Sequence, residues 1–473
     1  MGTMTKSGTT QPAYPRTLPR RLGLLDATTI VAGSMIGSGI FITSADISRQ
    51  VRSGSLLVLV WVFTALVTVA GAWSYGKLAM AFPRAGGQYV YLREAWGDLG
   101  GFLFGWAMLL VIQTGTIAAV AVAFAKYLGV LVPAVSSKHV FFKARFLSVT
   151  PLEIVAIALI VLLTWWNTTS VENGARLQNV FTTAKVLSLV GLLAVCFTAG
   201  SGLATTNWAF PAAADLKMPL IWAFAVATVG SLFSADAWNN VTFLGEEVRD
   251  AERNVPRALV YGTGLVTTLY VLANIGYLNA LPLSGIASAP EDRVATAAIG
   301  AVTGSAESGT PALIMAVVIL VSTFGCLNGL VLSGSRVLYA MSRDGLFLKS
   351  LAKVAPKSMI PVNALGAQAL WASLLCLSGK YNDLLDYVIA TVLIFYIATI
   401  AGRWKLARTN PALAPKTLMD RVVPVLYVIA TLYVTVALAL YKPTFTVPGL
   451  VIVALGIPAF YFFKSRQAPA PPA

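Results

Sequence analysis

Apolar runs of about 20 residues recur along this sequence, and they constrain its fold more than any motif does. A helix rises 1.5 Å per residue, so each run is long enough to cross a hydrocarbon layer about 30 Å thick. Twelve can be placed, at 24–48, 56–81, 99–132, 152–166, 177–199, 219–245, 258–281, 310–340, 362–379, 382–402, 422–441 and 446–463. The run from 152 is short and ends at Trp165–Trp166, a pair suited to the interfacial belt. With 57% hydrophobic and 11% charged residues, the chain has too little polar surface to cover such a core in water. The sequence therefore reads as an all-α polytopic membrane protein of twelve transmembrane helices.

A formal charge of +15 invites a nucleic-acid reading, but the distribution of the basic residues argues against it. With the N-terminus placed in the cytoplasm, about two-thirds of the 34 Lys and Arg fall in inside segments. That skew follows the positive-inside rule with both termini cytoplasmic, as expected of a multi-pass protein of the cell (inner) membrane. The basic charge is topology, and no nucleic-acid partner is expected. Residues 1–21 carry Lys6, Arg16, Arg20 and Arg21 and no apolar signal-peptide core, so they read as a cytoplasmic tail. Residues 22–403 are expected to form a core of ten helices, 404–464 two further helices, and 465–473 a disordered tail.

The residues needed for membrane enzymes are missing. Cys196, Cys326 and Cys376 sit far apart inside apolar runs, and the single histidine, His139, lies in an outer loop. No spacing suits a metal, a disulfide framework or a nucleophile–base pair, so neither metal nor cofactor nor enzymatic activity is expected. A sensor would normally add a soluble domain, and no loop here is long enough for one. A channel would line a continuous polar pore, which this sequence does not do.

Two runs are unusual. The first, LLDATTIVAGSMIGSGIFIT, packs Gly33, Gly37, Gly39, Ser34 and Ser38 into less than two turns. Each glycine costs a helix roughly 1 kcal/mol relative to alanine. Gly33 and Gly37 have GxxxG packing spacing, but packing alone does not call for Gly39 and two serines as well. The sixth run holds Gly230, Ser231, Ser234, Asp236, Asn239 and Asn240 at its middle. An acidic residue there costs about 2.5–3.5 kcal/mol unless it faces a cavity or a partner. Backbone breaks are not tolerated against lipid, so both must face protein or a solute. The two open the first and sixth spans, which is where an inverted repeat of five helices plus five holds its solute. No residue-level similarity between the halves accompanies that topology.

A break at 34–39 frees the N–H groups that begin the second half-helix at Ile40, and these favour a carboxylate. The last carbonyls of the first half-helix, with those near Phe233–Asp236, can accept from an ammonium group. An α-amino acid has both ends at the right separation, and no charged side chain is needed to hold it.

The sequence is similar to the amino acid–polyamine–organocation transporters, nearest the L-type amino acid transporter branch and its bacterial relatives. The resemblance covers roughly residues 20–465. It rests on GSMIGSGIF at 33–41, FPRAGGQYVYLREAWG at 82–97, FTTAKVLSL at 181–189, FSADAWNNVTFLGEEVRDAERNVPRAL at 233–259 and FGCLNGLVLSGSRVLYAMSRDG at 324–345. It implies a leucine-transporter-like fold working by alternating access. It implies that amides of Gly37, Ser38 and Gly39 bind the substrate carboxylate and carbonyls of Met35, Phe233 and Asp236 its amine. Ser34, Ile36, Ser234, Ala235 and Asn239 would line the pocket, and the Phe233 ring would gate it. It places Lys185 where some relatives hold a sodium ion, between the first and eighth spans, as an ion surrogate or proton carrier.

The residues alone single out Lys185 as well, because it lies about 12 Å beyond the expected start of its span, too deep for easy snorkelling. The expected function is sodium-independent exchange of neutral L-amino acids. Proton-coupled import and transport of basic amino acids or polyamines remain as alternatives. The sequence departs from the family pattern at Lys77, where relatives usually carry glutamate, and at Ala251, where proline is common. Animal L-type transporters join a heavy chain through an outer-loop cysteine. Loop 133–151 has none, so no disulfide-linked heavy chain is expected.

Overall fold

The computed structural model describes residues 18–135, 140–144, 147–198, 202–212, 216, 218–304, 309–378 and 381–465. Most of the N-terminal tail, His139 and the C-terminal tail after Ser465 lie outside the described residues.

The described chain is almost wholly helical, and its first expected span is two helices. α1 (Leu24–Met35) and α2 (Gly39–Val51) are separated by Ile36–Ser38 and bent by 41°. Next come α3 (Gly54–Ala81), α4 (Gln88–Ala107) and α5 (Gln113–Leu131), the last two joined through a π-helical turn at Met108–Ile112. α6 (Pro151–Asn167) starts in a capping box between Thr150 and Glu153. α7 (Val171–Thr198) begins six residues earlier than the apolar run suggests, because its first turns are polar and packed on protein. After the short α8 (Gly202–Thr205), the sixth expected span is again divided, into α9 (Leu220–Ser234) and the single turn α10 (Asn240–Phe243).

α11 (Ala251–Ala280) leads into two short helices that the apolar runs do not reveal, α12 (Leu283–Ala287) and α13 (Val294–Thr303). The long α14 (Thr310–Arg343), α15 (Val362–Ser378), α16 (Tyr381–Leu406), α17 (Leu418–Tyr441) and α18 (Pro443–Ser465) complete the chain. A purely α-helical chain was the expectation. The segment between α5 and α6 corrects it with an antiparallel hairpin of β1 (Phe142–Ala144) and β2 (Leu147–Val149).

Eight described helices are long and apolar enough to cross a membrane, or nine if α1 and α2 count as one bent span. α6, α9 and α15 are apolar but shorter. The chain is thus a multi-pass membrane protein. α17 and α18 carry the expected lipid face, a stripe of exposed Leu426, Ile429, Leu432, Leu450, Val451 and Leu455. The helices around α1 are instead buried on nearly all sides, and this is where polar residues collect. α1 packs on α7, α11 and α14, α2 on α9, and α3 along α11.

One end of this core is tied shut. Glu247, just after α10, meets Arg336 of α14 in a two-pronged ion pair at 2.7 and 3.1 Å, both side chains buried. The backbone of Arg21 and Leu22 donates to the Glu247 carbonyl, and Arg249 donates back to Leu22. Neighbouring Glu246 pairs with Arg343 and accepts from the Leu18 amide. The segment leading into α1 is thereby held against the segment leading into α11. At the edge of the same core, Lys77 pairs with the buried Asp420 of α17 at 3.2 Å.

Candidate functional site

The break at Ile36–Ser38 removes the helical partners of the last carbonyls of α1, which must then be satisfied from outside. Three neighbouring helices do so. Lys185 of α7, only 1% exposed, donates from Nζ to the carbonyls of Gly33 at 2.5 Å and Ile36 at 2.8 Å, and lies 3.3 Å from that of Ser322. Ser322 Oγ of α14 is 3.2 Å from the Ile36 carbonyl and 3.0 Å from that of Gly37. Cys326 Sγ reaches the Ser34 carbonyl at 3.0 Å. Tyr270 of α11 sets its hydroxyl 3.1 Å from the Met35 carbonyl and 3.2 Å from that of Ser234, joining the two broken helices.

The ammonium of Lys185 therefore sits in a cage of main-chain oxygens. That is the environment a bound cation would have, and a burial of this kind is tolerated only because each N–H finds an acceptor. Asp26, three turns back on α1, is bound by Asn179 and its own cap amide and stands apart from this cage.

The glycines of the break serve close approach. None of Gly33, Gly37 and Gly39 has a positive φ. A Cβ on Gly39 would stand 2.2 Å from Ser234 Oγ, and one on Gly33 would stand 1.9 Å from Gln178 Nε2 and 2.2 Å from Thr182 Oγ1. α2 thus begins directly against the end of α9, and α1 lies directly on α7. The amides of Gly39 and Ile40 begin α2 ahead of its first intrahelical acceptor, and the Phe41 amide donates to the Ser38 carbonyl at 3.1 Å.

The second break has a different chemistry. Between α9 and α10, Ala237 takes a left-handed φ of 63°, which turns the chain so that Asp236 and Asn239 face α16 and α4. Asp236 Oδ1 accepts from the Tyr396 hydroxyl at 2.6 Å. Asn239 donates to Gln88 at 2.8 Å, and Gln88 donates to Thr399 at 3.0 Å. Two small cavities flank Asp236 and Tyr396. The first, of about 20 Å³, has mostly apolar walls that include Ala235, Leu232 and Tyr427. The second, of about 10 Å³, is lined by Gln88, Gln113, Thr116, Asn239 and Asn240. Each holds at most a water or two, so the region is occluded in this conformation.

The expected site residues fall as follows. Met35, Ile36, Gly37, Ser38, Gly39, Ser234 and Lys185 converge at the first break. Ser34 faces Gly329 of α14, and its hydroxyl has no hydrogen-bond partner among the described residues. Phe233 is half-buried beside them at the end of α9. Ala235, Asp236 and Asn239 belong to the second break. The sequence reading passed over Tyr270, Ser322, Tyr396 and Gln88. The first three are polar residues inside otherwise apolar spans, a signal that was present but weaker than a charge, and Gln88 lies in the polar stretch between the second and third spans.

This geometry has named counterparts. The amino acid permease profile matches residues 22–462. The chain is 30% identical over 449 residues to the large neutral amino acids transporter small subunit 2 of Homo sapiens, covering 94% of this chain and 80% of that protein. It is 30% identical over 457 residues to the Asc-type amino acid transporter 1 of Homo sapiens, covering 95% and 84%. To the b(0,+)-type amino acid transporter 1 of Mus musculus it is 26% identical over 447 residues, covering 94% and 88%. A multi-pass helical bundle, two interrupted helices meeting at its centre and matches along nearly the whole chain agree: the protein belongs to the amino acid permease family and is an amino acid transporter.

Proposed function

We propose that the protein is a sodium-independent exchanger of neutral L-amino acids that works by alternating access around the two helix breaks. The observation that carries this reading is the Lys185 ammonium on the Gly33, Ile36 and Ser322 carbonyls, which fills the place a coupling cation would need. The relatives named for large neutral and Asc-type amino acids support a neutral substrate.

In this reading the amides of Gly37, Ser38 and Gly39 receive the carboxylate at the positive end of α2. The carbonyls of Met35, Phe233 and Asp236 receive the amine. The Met35 oxygen keeps a second lone pair beside Tyr270 for that purpose. Ser34, Ile36, Ser234, Ala235 and Asn239 shape the pocket, and Phe233 gates it. Helices α1 to α16 form a leucine-transporter-like 5+5 inverted repeat over residues 22–403. α17 and α18 stand outside it, giving twelve crossings of the cell membrane with both termini cytoplasmic. The end closed by Glu247 and Arg336 is then the cytoplasmic end, and its opening releases substrate inward. One relative is named a small subunit, yet loop 133–151 offers no cysteine, so this chain works without a disulfide-linked heavy chain.

The test is counterflow of radiolabelled alanine into proteoliposomes that contain the purified chain alone. Uptake is expected to require internal amino acid, to persist when Na⁺ is replaced by choline, and to ignore an imposed pH gradient. Collapse in choline would defeat the sodium-independent reading. Uptake driven by the pH gradient without internal substrate would show proton-coupled import instead.

A further inference from the structure

We infer that the pocket beyond the second break selects neutral amino acids with a polar side chain, a hydroxyl or an amide, over apolar ones of the same shape, with Asn240 as a specificity-determining residue. This rests on the proposed transport function and names the substrate class within it.

The side of the break that faces α4, α5 and α14 is unusually polar for a membrane interior. Gln88, Gln113, Thr116, Asn239 and Asn240 line one cavity together with Asp236, and all but the last are at least nine-tenths buried. Most of their hydrogen bonds are made within the protein. Gln113 donates to the Leu330 carbonyl at 2.8 Å, Thr116 to that of Ile112 at 2.7 Å, and Asn239 to Gln88 at 2.8 Å. Asn240 is the exception. It is 2% exposed, lines the same cavity, and its Nδ2 has no hydrogen-bond partner among the described residues.

A buried amide donor left unpaired is costly, and the cost returns in full when an apolar group is pressed against it. A side chain that brings an acceptor oxygen into the cavity satisfies it. A site built to hydrogen-bond its ligand rejects the analogue that lacks the group far more strongly than an apolar pocket rejects an extra methyl. Asp236 and Tyr396 line this cavity and also the apolar cavity beside it. Asp236, with one oxygen on Tyr396, can accept from the hydroxyl or amide that Asn240 donates to.

Isosteric pairs separate polarity from shape. In alanine counterflow, threonine is compared with valine as competitor, and asparagine with leucine. The polar member of each pair is expected to compete at least tenfold better, and Asn240→Leu to reduce that ratio to about threefold or less. Equal competition within both pairs in the wild type would overturn the inference without needing any variant. So would an undiminished ratio in a folded Asn240→Leu protein, which would assign the amide to a buried water, and so would arginine as the best competitor. Absence of alanine counterflow altogether would count against the transport reading itself.

Discussion

Lys185→Met is expected to reduce amino acid counterflow at least a hundredfold while leaving a folded, helical protein. The methionine keeps the length of the stem and removes the ammonium. The Gly33 carbonyl then has no donor, and the Ile36 carbonyl keeps only Ser322. Each charge-assisted bond contributes about 1.5–3 kcal/mol, so losing two weakens the break by about 3 kcal/mol or more, a factor of at least roughly a hundred. Lys185→Arg is expected to fail as well. The ammonium is boxed against Gly325, where even a Cβ would stand 3.4 Å from Nζ and 2.8 Å from Phe181 Cβ, so a planar guanidinium has no room. Initial rates of counterflow, with circular dichroism and size-exclusion profiles as controls, check both variants. Normal transport by Lys185→Met would remove the lysine from the account.

The second large effect concerns the closed end. Glu247→Gln leaves Arg336 charged in a site where its side chain is fully buried. Breaking one half of such a pair costs about 3–5 kcal/mol, whereas replacing both halves by apolar residues of similar volume is often close to neutral. Thermal unfolding in detergent is therefore expected to show Glu247→Gln and Arg336→Met each strongly destabilised, and Arg336→Met with Glu247→Met recovering most of the loss. The pair also holds the entry to α1 through the Glu247 carbonyl, so the single variants should expose the 18–22 segment to protease. Additive losses in the double variant would mean that the two residues do not act as a pair.

The sequence revealed the existence of the two breaks, because glycines and an aspartate inside apolar runs cost free energy that lipid cannot repay. It did not reveal why those glycines are needed. Local helix weakening was the reason read from composition, but the structure shows the close approach of Ser234 to Gly39 and of Gln178 and Thr182 to Gly33. Contacts between residues 145 to 195 positions apart leave no local trace. Tyr270 and Ser322 were missed for the same reason, since neutral polar residues are common enough in transmembrane helices to pass unremarked. Lys185 was found because its charge is expensive at any depth, even though its helix begins earlier than the apolar run indicates. The short helices α12 and α13 and the β1–β2 hairpin lie in connections whose composition is mixed, where periodicity has too few residues to register.

The central claim is that a broken first helix holds both ends of an α-amino acid by main-chain groups. Competition against alanine counterflow by alanine, ethylamine and propionate tests it most directly, since the last two lack the carboxylate and the amine respectively. The account predicts that alanine competes and that ethylamine and propionate, alone or mixed, leave uptake within about a tenth of the control. Competition by either one as strong as that of alanine would contradict it.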